Sequence, residues 1–480
     1  MSIQASVTSS LSENGGKLRT IRLLDEDGAS TIPSDILLNL QNCTPAATTL
    51  GARCTLNMTN GSLSGTLTTT TQCQVLLYNV TITGNLVLDN TLAELVNCDI
   101  DNAQISLTNG SKILVRGSTY DHVTGGVAGF VGAGNSHFEV YDTPVNTNGD
   151  GFDLNSCSLV LGSSAVTSSA GKGLDLDGSR VEVVKSDISG FTAGVELSGE
   201  AAAVISGSTL SGNPALSLDT GSTCTLVGLS VGDTISVPNA AIVVNGNSAL
   251  DIVGALSIKN NTAGVCLDVL GLSRVAITNI GTLEGFTSAI RCAGGGSVQV
   301  SSYTTLNALD GDCIDVDGGQ VCCRKGGSIT SAGGGNLSAN VSGGEFVADG
   351  GATLEDLSAT GGSLRISRFT TVGVLTINGA SCTVNDITNA VTNLDADSAN
   401  VAAKGLTFTD MDADSSDLGF HTVTLTNAVT IDGGSSGMQA CTTGDITLGA
   451  SAEMRSRNSS HGTISGFTNS IVAGSWAFYD

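Results

Sequence analysis

Charged residues make up only 13% of this 480-residue chain and aromatics only 4%, and there are 5 prolines and a single tryptophan, Trp476. So few aromatics exclude a thick globular core built from large side chains; a thin core of Val, Ile, Leu, Ala and Cys needs none. No run approaches 18 uninterrupted apolar residues, so no segment reads as a spanning helix and no membrane insertion is expected. Cations are scarce: 19 Lys and Arg stand against 44 Asp and Glu, a net charge of −25. Such a surface repels nucleic acid and anionic membranes, which sets both aside as partners. The opening MSIQASVTSSLSENGGKLRT has neither a basic n-region nor an apolar h-region. It is read as lacking a secretory signal, with synthesis in a reducing cytosol. The 13 cysteines show no zinc spacing and only one adjacent pair, Cys322–Cys323. Most alternate with apolar residues, as in VCLDV and CIDVDG, and are read as free thiols packed like small hydrophobes. The four histidines, His122, His137, His421 and His461, form no HExxH motif, and no phosphate-binding loop occurs.

What the chain does have is a repeat. A six-residue pattern recurs as GFDLNS (151–156), GLDLDG (173–178), GVELSG (194–199), ALSLDT (215–220), AIVVNG (241–246), GVCLDV (264–269), AIRCAG (289–294) and CIDVDG (313–318). Successive starts differ by 21 to 26 residues. Each copy alternates apolar and polar residues, the mark of a half-buried strand. A second strand follows in most periods, as in RVEV (180–183) and RVAI (274–277), and a turn-rich segment such as ISGFT (188–192) closes the period. The period is too short for a βαβ unit and for a four-stranded propeller blade. It fits one coil of an all-β, right-handed parallel β-helix, a solenoid with coils of about 17–26 residues. Strands then stack on their copies about 4.8 Å apart. Leu174, Val195, Leu216, Ile242, Val265, Ile290 and Ile314 are expected to stack inward, with Gly and Asn at the corners in left-handed conformations.

Residues 1–60 are read as an N-terminal cap or attachment segment, because an open solenoid end exposes strand edges. Residues 61–325 are read as the β-helix with 21–26-residue coils. Residues 326–480 are read as its continuation with shorter coils, ending in a plug around Trp476.

If Leu174 and Leu176 face inward, Asp175 and Asp177 face out. One outward column is then Asp153, Asp175, Glu196, Ser217, Val243, Cys266, Arg291 and Asp315. A second is Asn155, Asp177, Ser198, Asp219, Asn245, Asp268, Ala293 and Asp317. Carboxylates one coil apart raise one another's pKa or recruit a cation; at about 5–5.5 Å they match a retaining glycosidase, and at about 6.5–9.5 Å an inverting one. Asp153, Asp175 and Glu196, with Asp177 and Asp219, are therefore the catalytic candidates if the chain is an enzyme. The alternative is that outward Asp and Ser only keep the wall wet. A second cluster is Asp395, Asp397, Asp412 and Asp414. Its offset of 17 residues superposes Asp395 on Asp412 and Asp397 on Asp414, where Ca²⁺ would relieve the repulsion. Asp410–Asp414 has the D-x-D-x-D opening of a calcium loop, without its glycine or its closing glutamate. Solvated turn residues are the competing reading.

These strand-and-turn coils resemble the pectate-lyase-like superfamily of right-handed parallel β-helices, which includes pectin-degrading enzymes, secreted adhesins, and tailspikes and fibres of tailed viruses. NTNGDGFDLNS (146–156) and LDGDCIDVDGG (309–319) resemble the NTDG and GDDC motifs of polygalacturonases. They lie some 160 residues apart rather than one coil apart, and the GHG and RIK motifs are missing, so no polygalacturonase site is carried over. The arginine base of a pectate lyase has only Arg291 as a counterpart, with Asp315 one coil along and Asp268 diagonally one coil back. The resemblance, with the apparent lack of a signal, implies a virion structural protein made in the host cytoplasm: a tail fibre, spike or decoration protein. Its partners would be its own copies as a homotrimer, other virion proteins and a host surface glycan or receptor. A virion-borne polysaccharide depolymerase and a secreted β-helical adhesin are the alternatives.

Overall fold

A computed structural model describes residues 2–13, 20–123, 125–228, 230–232, 240–254, 257–260, 263–333, 336–427, 429–449, 451–457 and 459–466. The end of the chain, with Trp476 and the expected plug, lies outside them. The fold is all-β, 67% strand and 2% helix, with parallel strands stacked as a β-solenoid. The chain divides into two units, Met1–Ile235 and Ser236–Asp480.

The first unit begins with its helix, Ile3–Glu13. Ile3 and Val7, one turn apart, are both fully buried. The helix packs on strand Asp27–Ile32, where Gln4 Oε1 accepts the Thr31 N–H at 2.5 Å. It thereby covers part of a strand edge that a solenoid end leaves open. Parallel coils already start at Thr20–Leu24, which pairs with Leu37–Gln41, inside the segment read as a cap. Hydrogen-bonded equivalents lie 18–20 residues apart in the early coils and 21–25 residues apart further on. A full coil has three strands, as in Lys172–Asp177, Arg180–Val184 and Asp187–Ser189. Each pairs with its copy one coil on, so Leu174 stacks on Val195 and Val195 on Leu216, as the pattern predicts.

The corners follow a rule of two residues. The first is left-handed: Asn97, Gly117, Asp142, Ser163, Lys185 and Gly207 all have φ between 49° and 58°. The second turns a small side chain inward. Ser118, Thr143, Ser164, Ser186 and Ser208 are buried, and each oxygen accepts the N–H of the equivalent residue one coil back at 3.0–3.3 Å. Each also donates to the carbonyl two residues before it. The bend therefore gives the buried N–H groups of Cys98, Ser118, Thr143, Ser164 and Ser186 an acceptor each. The core of the first unit holds an aromatic group: Phe130 and Phe152 stack at 4.5 Å and 10°, and Tyr120 lies 4.6 Å from Phe130.

The second unit repeats the plan. Its outward column runs Val243, Asp268, Arg291, Asp315, Asn340, Ser358, Thr376, Asp395, Asp412, Thr430 and Thr447. One expectation is corrected here. Leu267, not Val265, stacks between Ile242 and Ile290, and Asp268 replaces Cys266 in the first outward column. A two-residue slip preserves the alternation of faces, so the pattern alone does not distinguish the registers. Cys266 is fully buried, and its thiol donates to the Ile258 carbonyl at 3.4 Å. Coils shorten after Gly344, with equivalents 17–19 residues apart. The 26-residue strand Asn400–Leu425 is one element only because pairing runs on through its bends at Gly405, Ser415 and Thr422.

All 13 cysteines are free, and all but Cys322 are buried. Burial pushes the thiol of Cys292 up to about 11 and that of Cys382 up to about 12. These are inert packing groups, in keeping with their alternation with apolar residues.

Candidate functional site

The wall of the first unit brings its predicted acids together. Asp153, Asp175 and Glu196 occupy successive rungs of one column, followed by Ser217. Alternation alone misses the cation beside them. Gly173 and Leu174 are both buried, which breaks the alternation and brings Lys172 and Asp175 out on one side. Lys172 Nζ lies 3.0 Å from Asp175 Oδ2 and 2.8 Å from Glu196 Oε1. Its backbone N–H donates to Asp150 Oδ1 at 2.6 Å. Partial burial acts to lower the Lys172 pKa, but hydrogen bonds to Glu196 and Asp175 outweigh it and the net shift is upward. Asp153 goes the other way from an ion-paired acid. Desolvation raises its pKa, and the nearby charges of Asp175 and Asp150 raise it further.

The second acidic column does not bring its two acids onto neighbouring rungs. Asp177 sits beside Asn155 and Ser198, and Asn155 Nδ2 donates to Asp177 Oδ2 at 3.1 Å. Asp219 lies a further coil along, where its carboxylate accepts the Thr220 N–H at 2.7 Å and serves its own turn.

In the second unit Arg291 and Asp268 meet directly rather than diagonally. Nε donates to Oδ1 at 2.8 Å and Nη2 to Oδ2 at 2.5 Å, and the Asp268 side chain is 8% exposed. The hydrogen bond to Asp268 raises the Arg291 pKa. A lyase base must give up its proton, so this pair works against the role that a pectate-lyase likeness would assign to Arg291. Asp315, one rung on, has its pKa raised by desolvation and by Asp312.

The late aspartates superpose as the 17-residue offset requires. Asp395 pairs with Asp412, and Asp397 with Asp414 and then Asp432. Residues 410–414 belong to an extended strand, however, so Asp410, Asp412 and Asp414 point out side by side instead of converging as in a loop. Serines take up some of these oxygens: Ser398 donates to Asp397 at 3.0 Å and Ser415 to Asp414 at 2.9 Å. Among the described residues no three His, Cys, Asp or Glu side chains converge as a cage for a metal ion.

The chain matches no protein-family model and no curated protein. Each of the two walls is a face on which acids meet cations and amides on neighbouring rungs. Among the described residues no helix is long and apolar enough to cross a membrane.

Proposed function

We propose that this chain is a structural component of a virus particle, a fibre, spike or decoration protein that works by presenting surface rather than by turning over a substrate. The observation that supports this best is how the outward polar groups are used. Lys172 ties Asp175 to Glu196, Arg291 clamps Asp268, and Asn155 holds Asp177, each across one rung of the ladder. Charges arranged this way brace a repetitive wall. The superfamily likeness supplies the virion setting, and a host surface glycan or receptor is the binding partner it suggests.

A second reading rests on Asp153. Its raised pKa and its place one rung from an ion-paired Asp175 match the general acid and the nucleophile of a retaining glycosidase. One experiment addresses both readings. Particles purified from the source culture are examined by mass spectrometry and by immunogold labelling against this chain. Purified protein is incubated with host capsule and lipopolysaccharide, and new reducing ends are measured. Stoichiometric presence on particles without cleavage is expected. Absence from particles would overturn the structural proposal. Cleavage that disappears in Asp175→Asn would establish the depolymerase in its place.

A further inference from the structure

The broad outer face formed by the middle strands of the first unit has a composition of its own. Its central column reads Leu76, Glu94, Leu114, Glu139, Val160 and Glu182 on successive rungs, then Val204. Large apolar and acidic residues thus alternate coil by coil. The flanking columns add Tyr78 and Leu92, 47% and 51% exposed, and three cations, Lys112, Arg116 and Arg180. Three acids and three bases cancel, on a chain whose net charge is −25. The corresponding column of the second unit reads Asp251, Ala276, Gln299, Cys322, Val347 and Arg365, with one large aliphatic among six.

We propose that this face of the first unit is where copies of the chain associate. Copies with this net charge repel one another over most orientations, and a neutral apolar face removes that penalty where it is presented. The charges are also self-complementary. The rung Lys112–Leu114–Arg116 has two cations around a leucine, and the next, His137–Glu139–Tyr141, has one carboxylate at its centre. A second copy that sets its Glu139 over Leu114 places the carboxylate between Lys112 and Arg116. Seven rungs of five residues span about 30 Å by about 16 Å, a flat area on the order of 500 Å² without side-chain relief. A standard interface takes about 800 Å² per partner, so the face supplies much of one. The inference holds whether or not the chain resides on a virus particle.

Light scattering coupled to size exclusion tests it on the full chain. The wild type is expected to run as an oligomer at micromolar concentration, and Leu114→Glu with Val160→Glu to run as a monomer with an unchanged β spectrum. Both side chains point outward, so the core is not involved. Charge reversal provides the second arm: Lys112→Glu and Glu139→Lys each weaken association at least tenfold, and the two together recover most of it. A monomeric wild type would overturn the proposal, and so would an oligomer indifferent to all of these substitutions.

Discussion

Ser186 shows how much this fold asks of one small side chain. Its oxygen accepts the Ser164 N–H at 3.1 Å and donates to the Val184 carbonyl at 3.0 Å, out of water and just after the left-handed Lys185. Ser186→Ala leaves a buried N–H without an acceptor and is expected to cost about 1.5 kcal/mol. Ser186→Thr should be nearly neutral, since Thr143 makes the same two bonds at this corner in an earlier coil. Hydrogen exchange at the Ser164 amide is the direct readout. It should accelerate strongly in the alanine variant alone, and unchanged protection would mean that water serves the corner equally well. This ladder is hidden in the sequence because Ser and Thr are everywhere in it. A serine that closes a corner looks the same as one that wets a wall. The cysteines are legible, because alternation with Val, Leu and Ile is enough to place them inside.

At the scale of the strand, period-two alternation and the recurring hexapeptide reveal parallel coils, their inward stack in the first unit and the acid column Asp153–Asp175–Glu196. They do not reveal Lys172, whose placement depends on Gly173 breaking the alternation. They also misplace Val265 and Cys266 by two residues, because VCLDV is buried throughout and any even slip keeps the same faces. The short coils are legible where a motif repeats, as in LDADSAN and MDADSSD, and that motif makes a prediction. Asp397, Asp414 and Asp432 are exposed like charges on adjacent rungs. Asp414→Asn removes both repulsions and is expected to raise stability by about 0.5 kcal/mol in calcium-free buffer at low salt. Thermal unfolding with and without millimolar CaCl₂ checks this. If calcium bridges the ladder, the wild type gains from the metal and the asparagine variant loses that gain.

For the molecule as a whole, 44 acids against 19 bases set the response to pH, and a few shifted groups add to that trend or oppose it. Desolvation raises the pKa of Asp153 and Asp315, so each costs stability while ionised, a cost relieved as pH falls through its folded value toward 3.8. Asp349 has the reverse sign: its hydrogen bond from Arg368 lowers its pKa, so its contribution is complete above 3.8 and is lost as pH falls from there through the folded value. The histidines act at higher pH. His122 is 7% exposed, neither ring nitrogen has a well-formed hydrogen bond, and burial lowers its pKa, the Asn102 backbone offsetting only part of this. Burial lowers His461 as well. A histidine with a depressed folded pKa leaves stability intact above the unfolded value near 6.5 and subtracts from it as pH falls below that value. Melting temperature should therefore drop between pH 7.5 and 5.5, even though protonation is reducing the net negative charge. His122→Leu should flatten that drop while leaving the gain below pH 5 from the two raised aspartates. A melting temperature that rises steadily from pH 7.5 to 5.5 in the wild type would mean that relief of the general repulsion outweighs these buried rings.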